Sequence, residues 1–376
     1  MRTSEVSDPE TKSFLQGRGE QGIERRSTSV RRTNKPAKRH GDCGKGPFPG
    51  GYYLITGGGG FVGGNFARLL LGERPDCGVT VFDSMGGRET TPVLSGLQEL
   101  YGDRVSVVKG RVTSESDLES LFSGNRFDFV VHFAAKNPTG ASISNPASFV
   151  EVNVMGTAML LEAARKSWSD GRGIFLHLSS YEVYGSSATG VFTEDSPLNP
   201  STPYAASKAS ADQLTLAYHR TFGMRTIVTR TTNIYGPWQS GDKLIPSIVE
   251  AVRTGGAIPV YGDGSNRRDW IHVDDHNRGV LRVLEEGEAG MVYHLGAHCE
   301  LSNIELVRKV ARLTAGKLGK SAENAEGLIT FVKDREGHDK RRSLDTARAG
   351  KLGFEASIEM DEGLEKTVEW CLFSER

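Results

Sequence analysis

The chain has 376 residues, enough for one large or two small cores, and its 46 basic and 47 acidic side chains leave a net charge of −1. That balance argues against a general nucleic-acid binder. The charge is unevenly placed: residues 1–50 carry 11 Lys/Arg and 6 Asp/Glu, a net +5, which leaves −6 on the remainder. The four cysteines, Cys43, Cys77, Cys299 and Cys371, lie far apart without zinc-type spacing, so reduced thiols and no metal site are expected. No apolar run approaches the ~20 residues that span a bilayer, and the start lacks the apolar core of a secretory signal. A soluble, cytoplasmic protein without membrane or nucleic-acid partners is the expectation.

Residues 1–50 are polar and without periodicity, which predicts a disordered basic arm. Order begins with the strand-like run Tyr52-Tyr53-Leu54-Ile55-Thr56, then Gly57-Gly58-Gly59-Gly60-Phe61-Val62-Gly63-Gly64, then a helix with Phe66, Leu69 and Leu70 inward. Glycines at 57, 60 and 63 let backbone approach a pyrophosphate, and the helix start offers it free N–H donors. Twenty residues past Gly63 the next strand ends in Asp83, whose carboxylate suits the ribose diol of NAD and repels the extra phosphate of NADP; Arg88 argues mildly the other way. Strand-like Val105–Lys109, a helix over 114–122 and the strand Phe127–Phe133 follow, ending in the small pair Ala134-Ala135. A helix over 147–164 carries Asn153 and Gly156, and the run 174–178 leads into Ser179-Ser180-Tyr181-Glu182 at the active edge of the sheet. The alternation predicts a doubly wound parallel sheet over 51–230.

Tyr204 and Lys208 lie four apart, on one face of a helix. An ammonium beside a phenol lowers the phenol's pKa from about 10, which makes Tyr204 a candidate base for an alcohol proton. From residue 231 the pattern changes: 232–238 reads as a loop, Lys243-Leu244-Ile245-Pro246 opens a helix, and 259–264 is a strand into a turn. Arg267-Arg268 and the charged run 334–342 could grip a diphosphate. A smaller C-terminal lobe over 231–376 is expected, with the chain free to re-enter the first domain.

From about Tyr52 to Cys371 these motifs resemble the extended short-chain dehydrogenase/reductase family, in its nucleotide-sugar 4,6-dehydratase branch of the dTDP-glucose type. The resemblance rests on Gly57–Gly63, His132-Phe133-Ala134-Ala135, Asn153-Val154-Met155-Gly156-Thr157, Glu182-Val183-Tyr184-Gly185 and Pro203–Asp212; in the second lobe it rests on Lys243–Pro246, Val260–Gly264, Arg268-Asp269-Trp270 and Gly337-His338-Asp339. It implies NAD as cofactor, held by the glycine loop with Phe61 and Val62, by Asp83, Arg111, Val112, Phe133, Ala134, Ala135 and Asn153, and by Tyr204 and Lys208. It implies a redox-neutral reaction on a hexose carried by a nucleoside diphosphate. Tyr204, with Lys208 and Ser180, would deprotonate the C4 hydroxyl, and Glu182 would remove the C5 hydrogen before water leaves from C6. Ser142, Ser180, Asn233, Lys243, Arg268, His294 and Arg341 would line the substrate pocket, and helices starting near Asn153 and Tyr204 would pair two copies into a homodimer.

The chain departs from the family pattern at four places. Tyr181 stands where an aspartic acid usually protonates the departing C6 oxygen, and a phenol is a far weaker acid. The segment Asn137-Pro138-Thr139-Gly140-Ala141-Ser142 has lost the usual sugar-facing run except Ser142; Arg111 replaces an acidic residue, and His294 stands where an Asn commonly meets the nucleotide. Alternatives to dehydration are another reaction that begins with C4 oxidation (epimerisation, decarboxylation or a different elimination) and a non-catalytic nucleotide-binding protein. Glu182, Tyr204 and Lys208 speak against the last of these.

Overall fold

The computed structural model describes residues 49–87, 91–137 and 139–374; the basic arm up to residue 48, with Cys43, and also Arg88, lie outside them. In the first half strands and helices alternate: β1 (Tyr52–Thr56), α1 (Phe61–Glu73), β2 (Gly78–Asp83), β3 (Val105–Lys109), α2 (Glu115–Ser123), β4 (Phe129–His132), α3 (Pro146–Ser167), β5 (Ile174–Ser180), α4 (Pro203–Phe222) and β6 (Arg225–Thr231). The second half contributes β7 (Asn233–Tyr235), α5 (Leu244–Thr254), β8 (Ile258–Tyr261), β9 (Arg267–His272), α6 (Val273–Glu286) and β10 (Val292–Leu295). It ends with β11 (Glu300–Ser302), α7 (Asn303–Lys317), β12 (Ile329–Val332), β13 (Arg341–Arg342) and α8 (Met360–Phe373).

Seven strands form one parallel sheet in the order β10-β6-β5-β4-β1-β2-β3. Its inner strands are apolar on both faces because helices cover both. Phe66, Leu70 and Leu71 of α1 pack with Val280, Leu281 and Leu284 of α6 on one side. Leu118, Leu160, Leu161 and Ala164 of α2 and α3 cover the other. The chain reverses its winding between β1 and β4, which opens a crevice at their carboxyl ends. α6 and β10 come from the second half, so the chain returns to this sheet after leaving it.

The remaining segments form a smaller lobe. β9 is flanked by β11 and β13 and also pairs with β7, and β8 pairs with β12. Ile245, Ile248, Val252, Leu306, Val310, Leu364 and Val368 of α5, α7 and α8 fill its core. A side chain ties it to the sheet domain: Asn65 Nδ2 of α1 donates to Pro237 O at 3.1 Å.

Two expectations need correction. Residues 232–238 are not all loop, because Asn233–Tyr235 pairs in parallel with Trp270–His272. The driving group is Tyr235, buried against the Trp270 and His272 rings, a long-range contact that local polarity hid. The absence of a long apolar stretch is also revised: α3 runs 22 residues and is apolar enough, by length and composition, to cross a membrane. Its buried residues, Asn153, Thr157, Leu160 and Leu161 among them, face the domain.

Candidate functional site

Backbone geometry builds the first part of the site. Gly57 has φ +71°, and a Cβ there would lie 2.5 Å from Ala134 N; one on Gly63 would lie 2.6 Å from Gly57 O. Only glycine lets β1, the loop and the β4 end come this close. The resulting cleft, about 600 Å³, is lined by Gly57, Gly60, Phe61, Val62, Gly63, Asp83, Arg111, Val112, Phe133, Ala134, Ala135, Tyr204 and Lys208. Asp83 is fixed by accepting from Gly59 N at 3.0 Å and Met85 N at 2.7 Å. A glycine cradle at a helix start, with a carboxylate at the end of the second strand, fits a dinucleotide.

A second cavity, about 720 Å³, adjoins the first and shares Phe61, Val62, Asn137, Tyr204, Gln239 and Lys243 with it. Ser180, Glu182, Asn233, Arg268 and Lys243 line it, as the sequence suggested. The junction is set by β5 and α4. Ser180 ends β5, and its hydroxyl accepts from Glu182 N at 3.2 Å, turning the chain so that Glu182 faces the cavity. Tyr204 sits in the first turn of α4, where Thr202 caps the helix by accepting from Ala205 N at 3.2 Å and Pro203 fixes the first position.

The electrostatics of the pair differ from the sequence expectation. Burial pushes the Tyr204 phenol up, and the Glu182 carboxylate adds to this; a hydrogen bond from Ser180 and the charge of Arg342 oppose it. Lys208 Nζ donates to Leu178 O at 2.6 Å and lies 3.4 Å from His177 Nε2. Burial lowers Lys208 itself to about 8, with Asp212 pulling the other way. Asp212, fully buried, is paired with Arg230 at 2.8 Å.

Five expected residues line neither cavity. Asn153 is buried and pins backbone instead, accepting from Lys136 N at 2.7 Å while donating to Lys136 O and Ser207 Oγ. Ser142 Oγ accepts from Tyr204 N at 3.1 Å, which holds the start of α4. His294 is buried between Tyr184 OH at 2.6 Å and Asp345 O at 2.8 Å. Arg341 turns to Glu300 at 2.8 Å, and its neighbour Arg342 faces the cavity. Adjacent residues on a strand point to opposite faces, so only one arginine of the pair could do so. Tyr181 is buried with Val183, Tyr184, Ala209 and Leu344, and burial pushes its phenol to about 12, which does not suit the proton donor expected there.

Gln239 and Ser240, in the turn after Trp238, and Asp242 line the site without having been singled out for it, and from the charged run 334–342 it takes His338 and Arg342. The Gly236-Pro237 turn gave no periodic signal, whereas the alternation of β13 could have separated Arg342 from Arg341. Arg342 Nη2 lies 2.6 Å from Asp339 Oδ2 and 3.4 Å from Glu182 Oε2. Burial alone would lower its pKa, but Glu182, Tyr181 and Asp339 hold it above the usual arginine value.

Residues 54–367 match the family described as GDP-mannose 4,6 dehydratase. A dTDP-glucose 4,6-dehydratase of Streptomyces niveus is 42% identical over 322 residues, covering 84% of this chain and 91% of that protein. The Haloferax volcanii low-salt glycan biosynthesis protein Agl12 is 39% identical, covering 85% and 98%. Among solved structures, DesIV, the dTDP-glucose 4,6-dehydratase from Streptomyces venezuelae with NAD and TYD bound, superposes with a TM-score of 0.77 at 40% identity, covering 85% of this chain and 96% of that one. With Tyr204, Lys208, Ser180 and Glu182 gathered where the two cavities meet, the chain belongs to the extended short-chain dehydrogenase/reductase family, in its nucleotide-sugar 4,6-dehydratase branch.

Proposed function

We propose that the protein is an NAD-dependent lyase that dehydrates a nucleoside-diphosphate hexose, dTDP-glucose first among them, to a 4-keto-6-deoxy sugar. The observation that carries this reading is the junction of the cavities, where a phenol, a serine hydroxyl and a carboxylate converge beside a glycine cradle. The glycine loop and Asp83 would hold NAD, which when bound there would supply the hydride acceptor for C4 and the hydride donor for C6 of the sugar. Tyr204 accepts the C4 hydroxyl proton, and Ser180 hydrogen-bonds the same oxygen. Lys208 supplies positive charge behind them. The C4 ketone acidifies the C5 hydrogen, which Glu182 removes. With Tyr181 outside the cavity, Glu182 is also the acid that returns a proton to the departing C6 oxygen, so water leaves and the carboxylate is regenerated; it then takes a proton from solvent and delivers it to C5 as the hydride is returned to C6.

Asn233, Lys243, Arg268 and Arg342 take the diphosphate end, and residues 231–376, apart from α6 and β10, serve as the nucleotide-sugar lobe beside the dinucleotide domain of 51–230. Two copies pair through α3 and α4, where Val150, Met155 and Phe222 are exposed apolar side chains. A cytoplasmic location follows from this substrate and cofactor.

The test is incubation with dTDP-glucose and UDP-glucose separately, followed by mass spectrometry. Loss of one water with either, abolished in Glu182→Gln, supports the reading and names the nucleotide. An unchanged sugar in both cases contradicts it.

A further inference from the structure

Tyr181 is the residue at the site that the dehydratase reading leaves without a task. It lies behind the wall of the second cavity: its ring is 1% exposed and packs with Val183, Tyr184 and Leu344. Its hydroxyl donates to Asn233 Oδ1 at 3.0 Å. Its ring face carries the Arg342 guanidinium, with the central carbon 5.2 Å from the centroid. Arg342 is held on its other edges by Asp339 Oδ2, at 2.8 Å from Nε and 2.6 Å from Nη2. Asn233 and Arg342 both line the cavity.

These contacts assign direction. An amide oxygen that accepts from a buried phenol commits the Asn233 Nδ2 group to another partner, and among the described residues it hydrogen-bonds none. The same holds for Arg342 Nη1, whose fellow nitrogens are engaged by Asp339. The unused groups are N–H donors, and they sit beside the further cations Arg268 and Lys243. Two N–H donors left open among these cations suit an oxyanion; the carboxylates nearest them are Glu182, 3.4 Å from Arg342 Nη2, and Asp242, 3.5 Å from Lys243 Nζ.

We propose that Tyr181 is a positioning residue for the diphosphate of the nucleotide substrate: it locks the Asn233 amide and the Arg342 guanidinium so that both present N–H groups to that anion. The inference rests on the nucleotide-sugar reading of the same cavity. It gives the phenol a structural reason to stand where a carboxylic acid would not serve, because an ionised carboxylate cannot donate to Asn233 Oδ1.

The test is calorimetric titration of the NAD-loaded protein with dTDP and with UDP, which reads binding without turnover. Tyr181→Phe should weaken the preferred nucleotide roughly tenfold and leave NAD affinity unchanged, which also reports an intact fold. Asn233→Ala should weaken it similarly, and the double variant should be no weaker than Asn233→Ala alone, since the two act as one unit. In turnover, KM for the nucleotide sugar should rise with kcat falling much less. Unaltered nucleotide affinity in Tyr181→Phe, or additive losses in the double variant, would overturn the proposal. A kcat loss of ~100-fold with unchanged nucleotide affinity would do so too, and would make Tyr181 a proton donor. A wild-type protein that binds neither nucleotide overturns the nucleotide-sugar reading itself, an outcome distinct from tight wild-type binding that Tyr181→Phe does not disturb.

Discussion

The two cavities of the site are built by different means. The cofactor cleft is made mostly of backbone: three glycines spaced three apart, the start of α1 and the ends of β1, β2 and β4. Its glycine loop is one short stretch of sequence, and where Cβ atoms are excluded the identity of the residue follows from geometry. The substrate cavity is made of side chains brought from β5, β7, β9 and β13, more than 150 residues apart. There each side chain's direction depends on what packs behind it. A backbone-built site tolerates little variation in sequence, whereas a side-chain-built site can exchange one polar group for another if the packing behind it changes too.

That contrast can be broken or sharpened by substitution. Tyr204→Phe should lower kcat by ~10³-fold or more while NAD affinity, followed by calorimetry, stays as in the wild type. Gly57→Ala forces a Cβ against Ala134 backbone at positive φ. It should cost ~2 kcal/mol or more of stability in a thermal melt and weaken NAD binding, since neither strand end can give way. Arg342→Ala should raise KM for the nucleotide sugar by ~30-fold, and Arg341→Ala by less than about threefold, because only the first reaches the cavity. Equal effects would mean that the side-chain half of the site is misassigned.

A pH profile gives a smaller effect. Lys208 titrates near 8 because burial disfavours its charge, and the Asp212 carboxylate holds it from falling further. Below that value it is an ammonium and supports Tyr204; above it the charge is lost and kcat/KM should fall. Asp212→Asn removes the opposing charge, so the alkaline limb should move to lower pH by ~1 pH unit. A limb that stays in place would show that Lys208 is not the group that titrates. The melt of this variant should be followed as well, since Arg230 loses its buried partner.

Much of this was legible in the sequence, and the failures share a physical cause. The strand–glycine loop–helix order, Asp83 and the Tyr204/Lys208 spacing are local patterns, and the sheet assembles around them. Ser142 and Asn153 were recognised as important positions, but each turns its polar atoms to backbone that only the folded chain brings near, at Tyr204 and Lys136. His294 and Arg341 fell away for a similar reason: Tyr184 and Glu300 come from distant segments and draw them off. The 3.6-residue and two-residue periods report which face a side chain occupies, and the partner on that face is supplied by tertiary packing.

The most direct test of the central claim, that one carboxylate at the junction drives elimination after C4 oxidation, is turnover of dTDP-glucose in heavy water with the product examined by mass spectrometry and NMR. The expected product is a 4-keto-6-deoxy sugar that has lost one water and gained one deuterium at C5, with neither change in Glu182→Gln. Deuterium at C5 without loss of water, or water loss that survives in Glu182→Gln, would contradict it.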